Sequence, residues 1–234
     1  SMYIDNDSIY HPGLLFRYYN NNREINLIRD DDPENMSRSP YYDTYHKIEM
    51  DFELLKWQMN EPKINITMLR GSSLNIANFE SADFFSAARY YEIQGLEQLH
   101  PYLSLKKFAK YSNTETFHVE DLAKFMRLPL VHVQRLLIQL TYKGIVDYDF
   151  ETQYCTLKPK LFKYLDAIVG RKDHDLINFE SRINSPNNNA VLNLKNMDLV
   201  IKGVPMINLS DSQNVVFYPK GQESLLMSIH KEHT

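Results

Sequence analysis

Residues 116–157 read TFHVEDLAKFMRLPLVHVQRLLIQLTYKGIVDYDFETQYCTL, and the periods within this stretch decide the architecture. Thr116-Phe117 is a short β-prone pair. From Val119 to Arg127 the apolar positions Leu122, Ala123 and Met126 recur at helical spacing. Pro129 opens a second helix, because a first-turn residue has no intrahelical use for its N–H, and Val133, Leu136, Leu137 and Leu140 form its buried stripe. Lys143-Gly144 ends it, with a cation near the negative helix end and a glycine for the cap. Ile145 to Asp149 then alternates, Phe150 to Gln153 turns, and Tyr154 to Leu157 returns as the second strand of a hairpin.

The helical period extends upstream. Phe84, Phe85, Ala88 and Tyr91 are spaced for one buried face, as are Leu103, Leu105, Phe108 and Ala109. A helical module is therefore predicted over 81–172. On either side the period is two. Leu14, Phe16 and Tyr18 alternate ahead of Asn20-Asn21-Asn22, and Ile25 and Leu27 follow, which reads as a hairpin. Ile48, Met50, Phe52 and Leu54 alternate with Lys47, Glu49, Asp51 and Glu53; after the break at Asn60-Glu61-Pro62, Ile64, Ile66 and Met68 resume. Beyond Asp173, short alternating runs at 189–194, 199–201, 206–209 and 215–218 suit a sheet or the stacked rungs of a β-solenoid.

The tetrapeptide Asn78-Phe79-Glu80-Ser81 recurs as Asn178-Phe179-Glu180-Ser181. The two copies flank the helical segment and read as equivalent strand ends, with the helices inserted between successive β elements. The expected fold class is α+β, in three parts: a β-rich segment over 1–80, the helical module over 81–172, and a β-rich segment over 173–234 that packs with the first.

Composition limits the functions on offer. The chain has 234 residues, a formal charge of −4, one Cys and 7 Gly. With 43% apolar and 24% charged residues it supplies a real core. The charge leaves no global basic footprint for nucleic acid. A lone Cys155 forms no internal disulfide, and on a strand it reads as a small core side chain rather than a nucleophile. So few glycines assemble no Gly-rich phosphate cradle, there is no Gly-x-Ser-x-Gly elbow, and Gly71-Ser72-Ser73 and Ser210-Asp211-Ser212 have no base placed by motif. Among the eight histidines only His230 and His233 have metal-ligand spacing, at the chain end, and Asp30-Asp31-Asp32, Asp173, Asp175 and Glu180 lack the spacing of a calcium loop. No cofactor and no metal are expected. No apolar run reaches the roughly 20 residues of a membrane span, and Ser1 ahead of Met2 reads as a scar of recombinant expression on part of a longer polypeptide.

The element order helix, short strand, helix, helix, hairpin resembles a winged-helix domain over about Leu96 to Val169. That resemblance implies a third helix able to face a partner, whose exposed positions here are His132, Gln134, Arg135, Gln139 and Lys143. Two firm cations are a thin supply for a major groove. The wing, Asp147 to Gln153, holds three carboxylates and no Lys or Arg, which repels phosphate. From Glu80 to Lys172 there are 13 basic and 11 acidic side chains, a net of +2. At Asp7 to Gly13, Ser39 to His46 and Leu209 to Val215 the chain also resembles an interior piece of very large uncharacterised proteins of Bacteroidetes, a likeness that implies no activity, cofactor or catalytic residue. The expectation is a non-catalytic structural or protein-interaction region of a larger bacterial protein, whose partner is protein, including the rest of its own polypeptide. A DNA-binding regulator stands second. A glycan-processing or other enzyme, with its site in or beyond the β part, stands third.

Overall fold

Alternation at residues 14–28 produces the hairpin β3 (Leu15–Tyr19) and β4 (Glu24–Ile28), with Tyr19 opposite Glu24. In a computed structural model, residues 1–4, 7–29, 39–69, 76–94, 99–175, 177–183, 187–208, 216–217 and 225–229 are described. They form a mixed α+β protein with three open, antiparallel sheets. Two units are distinguishable, one of residues 1–31, 40–84 and 176–234, the other of 32–39 and 85–175.

In the first unit the chain deals its strands alternately to two sheets. After β1 (Met2–Ile4) and β2 (Asp7–Tyr10), the β3–β4 hairpin enters the second sheet. Then β5 (Tyr41–Asp43) and β6 (Ile48–Asp51) enter the first, β7 (Leu54–Gln58) and β8 (Lys63–Thr67) the second, and β9 (Ile76–Ser81) the first. On its return the chain adds β13 (Asn178–Arg182) beside β9, followed by β14 (Ala190–Asn193) and β15 (Asp198–Val204) in the second sheet. It continues with β16 (Ile207–Asn208) and β17 (Val216–Phe217) in the first and β18 (Leu225–Ile229) in the second. The first sheet runs β1-β2-β5-β6-β9-β13-β16-β17 and the second β18-β15-β14-β8-β7-β4-β3. Of the two arrangements left open for the β segments, antiparallel pairing throughout is that of sheets and not of parallel rungs.

The sheets share one apolar core. Ile9, Tyr41, Ile48, Met50, Phe79 and Phe179 come from the first, and Leu55, Ile64, Ile66, Leu192, Leu199 and Ile201 from the second. The alternation predicted across Ile48, Met50, Phe52 and Leu54 changes phase at the crossing between sheets: Phe52 is buried, and after it Leu55, not Leu54, turns inward. The repeated tetrapeptides are neighbours. Phe79 lies opposite Phe179 in the β9–β13 register, their rings stacked with centroids 5.8 Å apart.

Turn chemistry explains how so glycine-poor a chain makes so many hairpins. Three hairpin loops of the first unit end on a non-glycine residue in the left-handed region. These are Arg23 after Asn20-Asn21-Asn22, Lys47 after Thr44-Tyr45-His46, and Met197 after Leu194-Lys195-Asn196. Each is a four-residue loop, a length usually built around a type I turn. The buried His46 ring joins two of these loops, with Nδ1 2.7 Å from Asp43 Oδ2 and Nε2 2.6 Å from the Met197 carbonyl oxygen.

The second unit runs α1 (Ala87–Glu92), α2 (Pro101–Ser112), β10 (Thr116–His118), α3 (Val119–Met126), α4 (Leu130–Tyr142), β11 (Val146–Asp149), β12 (Tyr154–Leu157) and α5 (Pro159–Ile168), with strand order β10-β12-β11. Its core holds Leu105, Phe108, Leu122, Val133, Leu137, Leu140, Val146, Cys155, Leu161 and Leu165. Capping sets the phase of α1. Ser86 accepts the Arg89 N–H, so Tyr90 points inward while Ala88 and Tyr91 are exposed, against the expected Ala88 and Tyr91 face. The two ends of the unit meet, the Phe85 N–H donating to the Asp175 carbonyl at 3.1 Å.

Candidate interaction site

The exposed side of α4 is built by its buried one. Val133, Leu137, Leu140 and Thr141 pack inward, which turns Val131, His132, Arg135, Gln139 and Tyr142 outward, with Ile138 half-buried beside them. Of the five predicted contact residues, His132, Arg135 and Gln139 are exposed. The other two are already engaged. Gln134 donates its amide to Gln153 Oε1 at 2.8 Å, and the Lys143 ammonium lies 3.1 Å from Glu92 Oε2. Sequence spacing identified the face but not these side-chain commitments, because both partners come from other elements. It also passed over the apolar share of that face, Leu130 (38% exposed), Val131 (50%) and Tyr142 (43%).

The β11–β12 turn is held by its own acid. Asp149 Oδ1 accepts the N–H groups of Glu151 (2.9 Å) and Thr152 (3.3 Å), and Oδ2 accepts the Thr152 hydroxyl at 2.7 Å. Gln153, the left-handed residue that closes the loop, accepts the Tyr148 hydroxyl at 2.9 Å. Burial pushes the Tyr148 hydroxyl above its ordinary pKa, and its side-chain hydrogen bonding with Gln134 and Gln153 opposes that. Asp147 sits 3.8 Å from the Lys158 ammonium. The turn thus offers a partner an exposed Glu151 and no cation of its own.

A groove of about 660 Å³ opens elsewhere on the same unit, between α2, α3 and the β10 and β12 strands. Its floor is Phe108 and Phe117, edge to face at 4.8 Å. Tyr111 and Phe125 from the helices, and His118 and Tyr154 from the strands, bring exposed or half-exposed rings to it. No sequence motif marks it, since its residues come from four elements.

Cys155 is fully buried, and desolvation, followed by the nearby Asp147, pushes its thiol well above the usual range. Three of the histidines are buried as structural groups. Besides His46, His11 Nδ1 accepts the Gly13 N–H at 3.1 Å, and His100 caps α2 and stacks on Tyr90 at 3.7 Å. His174 packs edge-on against Phe85 at 4.9 Å. Among the described residues no group of three His, Cys, Asp or Glu side chains is placed to hold a metal ion, and no helix is long and apolar enough to cross a membrane. Asp30 to Asp32, Gly71 to Ser73, Ser210 to Ser212 and the His230/His233 pair lie outside the described residues.

No family model matches the chain, and no curated protein and no solved structure was found to be significantly similar to it.

Proposed function

We propose that the chain is a non-catalytic scaffold and protein-interaction region of a larger bacterial polypeptide, in which the second unit is a winged-helix-like module that docks protein through the exposed side of α4. The observation that carries this reading is the composition of that side. Leu130, Val131 and Tyr142 are exposed on the same helix as Arg135 and Gln139, a mixture of apolar, aromatic and Arg groups typical of protein contacts. A duplex DNA reader needs cations there and on the wing. Here Arg135 is the one cation among the exposed α4 residues, Lys143 is paired with Glu92, and the wing is acidic.

A photo-crosslinking residue placed at position 131 in cells is expected to form protease-sensitive adducts with protein. Adducts sensitive to nuclease instead would decide for the DNA-binding regulator. In vitro the chain is expected to show no salt-sensitive retention on duplex DNA; a sub-micromolar shift at moderate salt that disappears with Arg135→Ala would reverse the reading.

A further inference from the structure

We infer that the groove between α2, α3 and β10 is a second binding site, and that its ligand is an extended, proline-rich peptide segment in the polyproline II conformation. The ring surface is the first ground. Tyr111 is 78% exposed, Tyr154 52% and Phe125 37%, around a floor of two core phenylalanines. Isolated exposed apolar residues are ordinary, whereas rings gathered around one concavity mark recognition. Tyr111 and Phe125 lie 5.7 Å apart and His118 and Tyr154 5.4 Å apart, so rings stand in contacting pairs on the helix side and on the strand side.

Hydrogen bonding narrows the ligand. The small hydroxyls of the lining are spent within the protein: Ser112 donates to the Phe108 carbonyl at 2.9 Å, and Thr116 shares a 3.0 Å bond with Thr156. Thr114 both donates to the Thr116 carbonyl (2.9 Å) and accepts the Thr116 N–H (3.1 Å). That last pair occupies the outer edge of β10, so an incoming β-strand finds its ladder partners at Thr116 taken. The lining's one carboxylate, Asp121, faces the Lys124 ammonium at 3.7 Å. With Lys124 engaged by Asp121, what remains is His118 Nε2–H, since His118 Nδ1 accepts the Glu120 N–H at 3.4 Å, and the Tyr111 and Tyr154 hydroxyls, which donate or accept.

An ordinary peptide brings N–H groups for which the two tyrosine hydroxyls are the main side-chain acceptors left in the lining. A proline-rich segment brings carbonyl acceptors without N–H donors, rings that pack on aromatic faces, and a conformation already extended before binding. The match is between an aromatic groove with few free acceptors and a ring-bearing chain that only accepts.

The probe is a fluorescein-labelled decaproline titrated with the full chain and read by fluorescence anisotropy, beside a Gly-Ser peptide of equal length. Saturable binding of decaproline alone is expected. Tyr111→Ala and Tyr154→Ala, both at exposed positions, are each expected to weaken it about tenfold while leaving the circular dichroism spectrum and the protection of Cys155 unchanged. Arg135→Ala, on the α4 side, is expected to leave it as it is, which keeps this site apart from the one proposed above. Absence of saturation at millimolar protein, equal binding of the Gly-Ser peptide, or full affinity in both tyrosine variants would each overturn the assignment.

Discussion

Cys155 sits on β12 in contact with the second unit's core, and its burial has a measurable consequence in two directions. Iodoacetamide is expected to leave the folded thiol unmodified at pH 8 and to label it once urea unfolds the unit; rapid labelling of the native chain would contradict the placement. The pH dependence follows from the raised thiol and its unshifted reference near 9.0. Below that value folded and unfolded chains both keep the proton, so its contribution to stability is constant. Above it the unfolded chain releases a proton that the fold retains, and stability falls by up to about 1.4 kcal/mol per pH unit. Tyr102, also raised chiefly by burial, adds the same sign only above its reference of 10.0. The urea midpoint of the second unit should therefore decline from pH 9 to 10, less steeply in Cys155→Ala. Tyr41 is a different kind of buried residue. Fully enclosed and stacked on Phe52 at 4.0 Å, its hydroxyl has no hydrogen-bond partner among the described residues.

Hairpin loops are the elements in which this chain departs most from common usage. Arg23 holds a left-handed backbone at φ 51°, is exposed, and accepts the Met59 N–H with its carbonyl. That conformation costs an L-residue about 1 kcal/mol and glycine almost nothing. Arg23→Gly is accordingly expected to raise the stability of the first unit by up to about 1 kcal/mol in urea unfolding, the gain being reduced by the freedom glycine adds to the unfolded chain. A loss would show that the guanidinium holds the loop. These loops also explain what could be read from sequence. Asn20-Asn21-Asn22 announced its turn by composition, whereas Thr44 to Lys47 and Leu194 to Met197 carry no glycine to mark the left-handed position. The stripe Val133, Leu137 and Leu140 was legible because one helix face sees one core. The β6-to-β7 crossing was not, because the same alternating run serves two sheets. Helix α5 escaped notice although Pro159 at its start and Leu161, Tyr164 and Leu165 are ordinary signals. The groove was illegible for a plainer reason: Tyr111 and Tyr154 are neighbours only after α2 and β12 have packed.

At the scale of the whole chain, residues 85–175 have their own core and their own sheet, and the strands on either side of them pair with each other. Replacing 85–175 with a short Gly-Ser turn is therefore expected to leave a first unit that unfolds cooperatively, with Trp57 fluorescence as its reporter. A non-cooperative or insoluble product would show that the β-rich unit depends on the segment removed. The two-sheet body also ends openly. Every residue of β3 is exposed, Phe16 at 63% and Tyr18 at 45% among them, and the charge on that edge is Arg17, of the kind that discourages unintended strand addition.

The hydrogen bond from Phe85 to Asp175 bears on how the chain is born. Phe79 and its partner Phe179 stand a hundred positions apart, so at roughly 5–20 residues per second the ribosome delivers β13 about 5–20 s after β9. For that interval β9 is a bare edge. The residues emerging meanwhile are those of the helix-rich unit, whose local contacts form far faster than synthesis proceeds. Once it folds, its two ends are already side by side, and a loop of nearly a hundred residues behaves as a tight turn. By the logarithmic dependence of loop closure on length this saves on the order of 3 kcal/mol of chain entropy. The inserted unit thus brings the ends of β9 and β13 together, turning a pairing across a hundred residues into a local one.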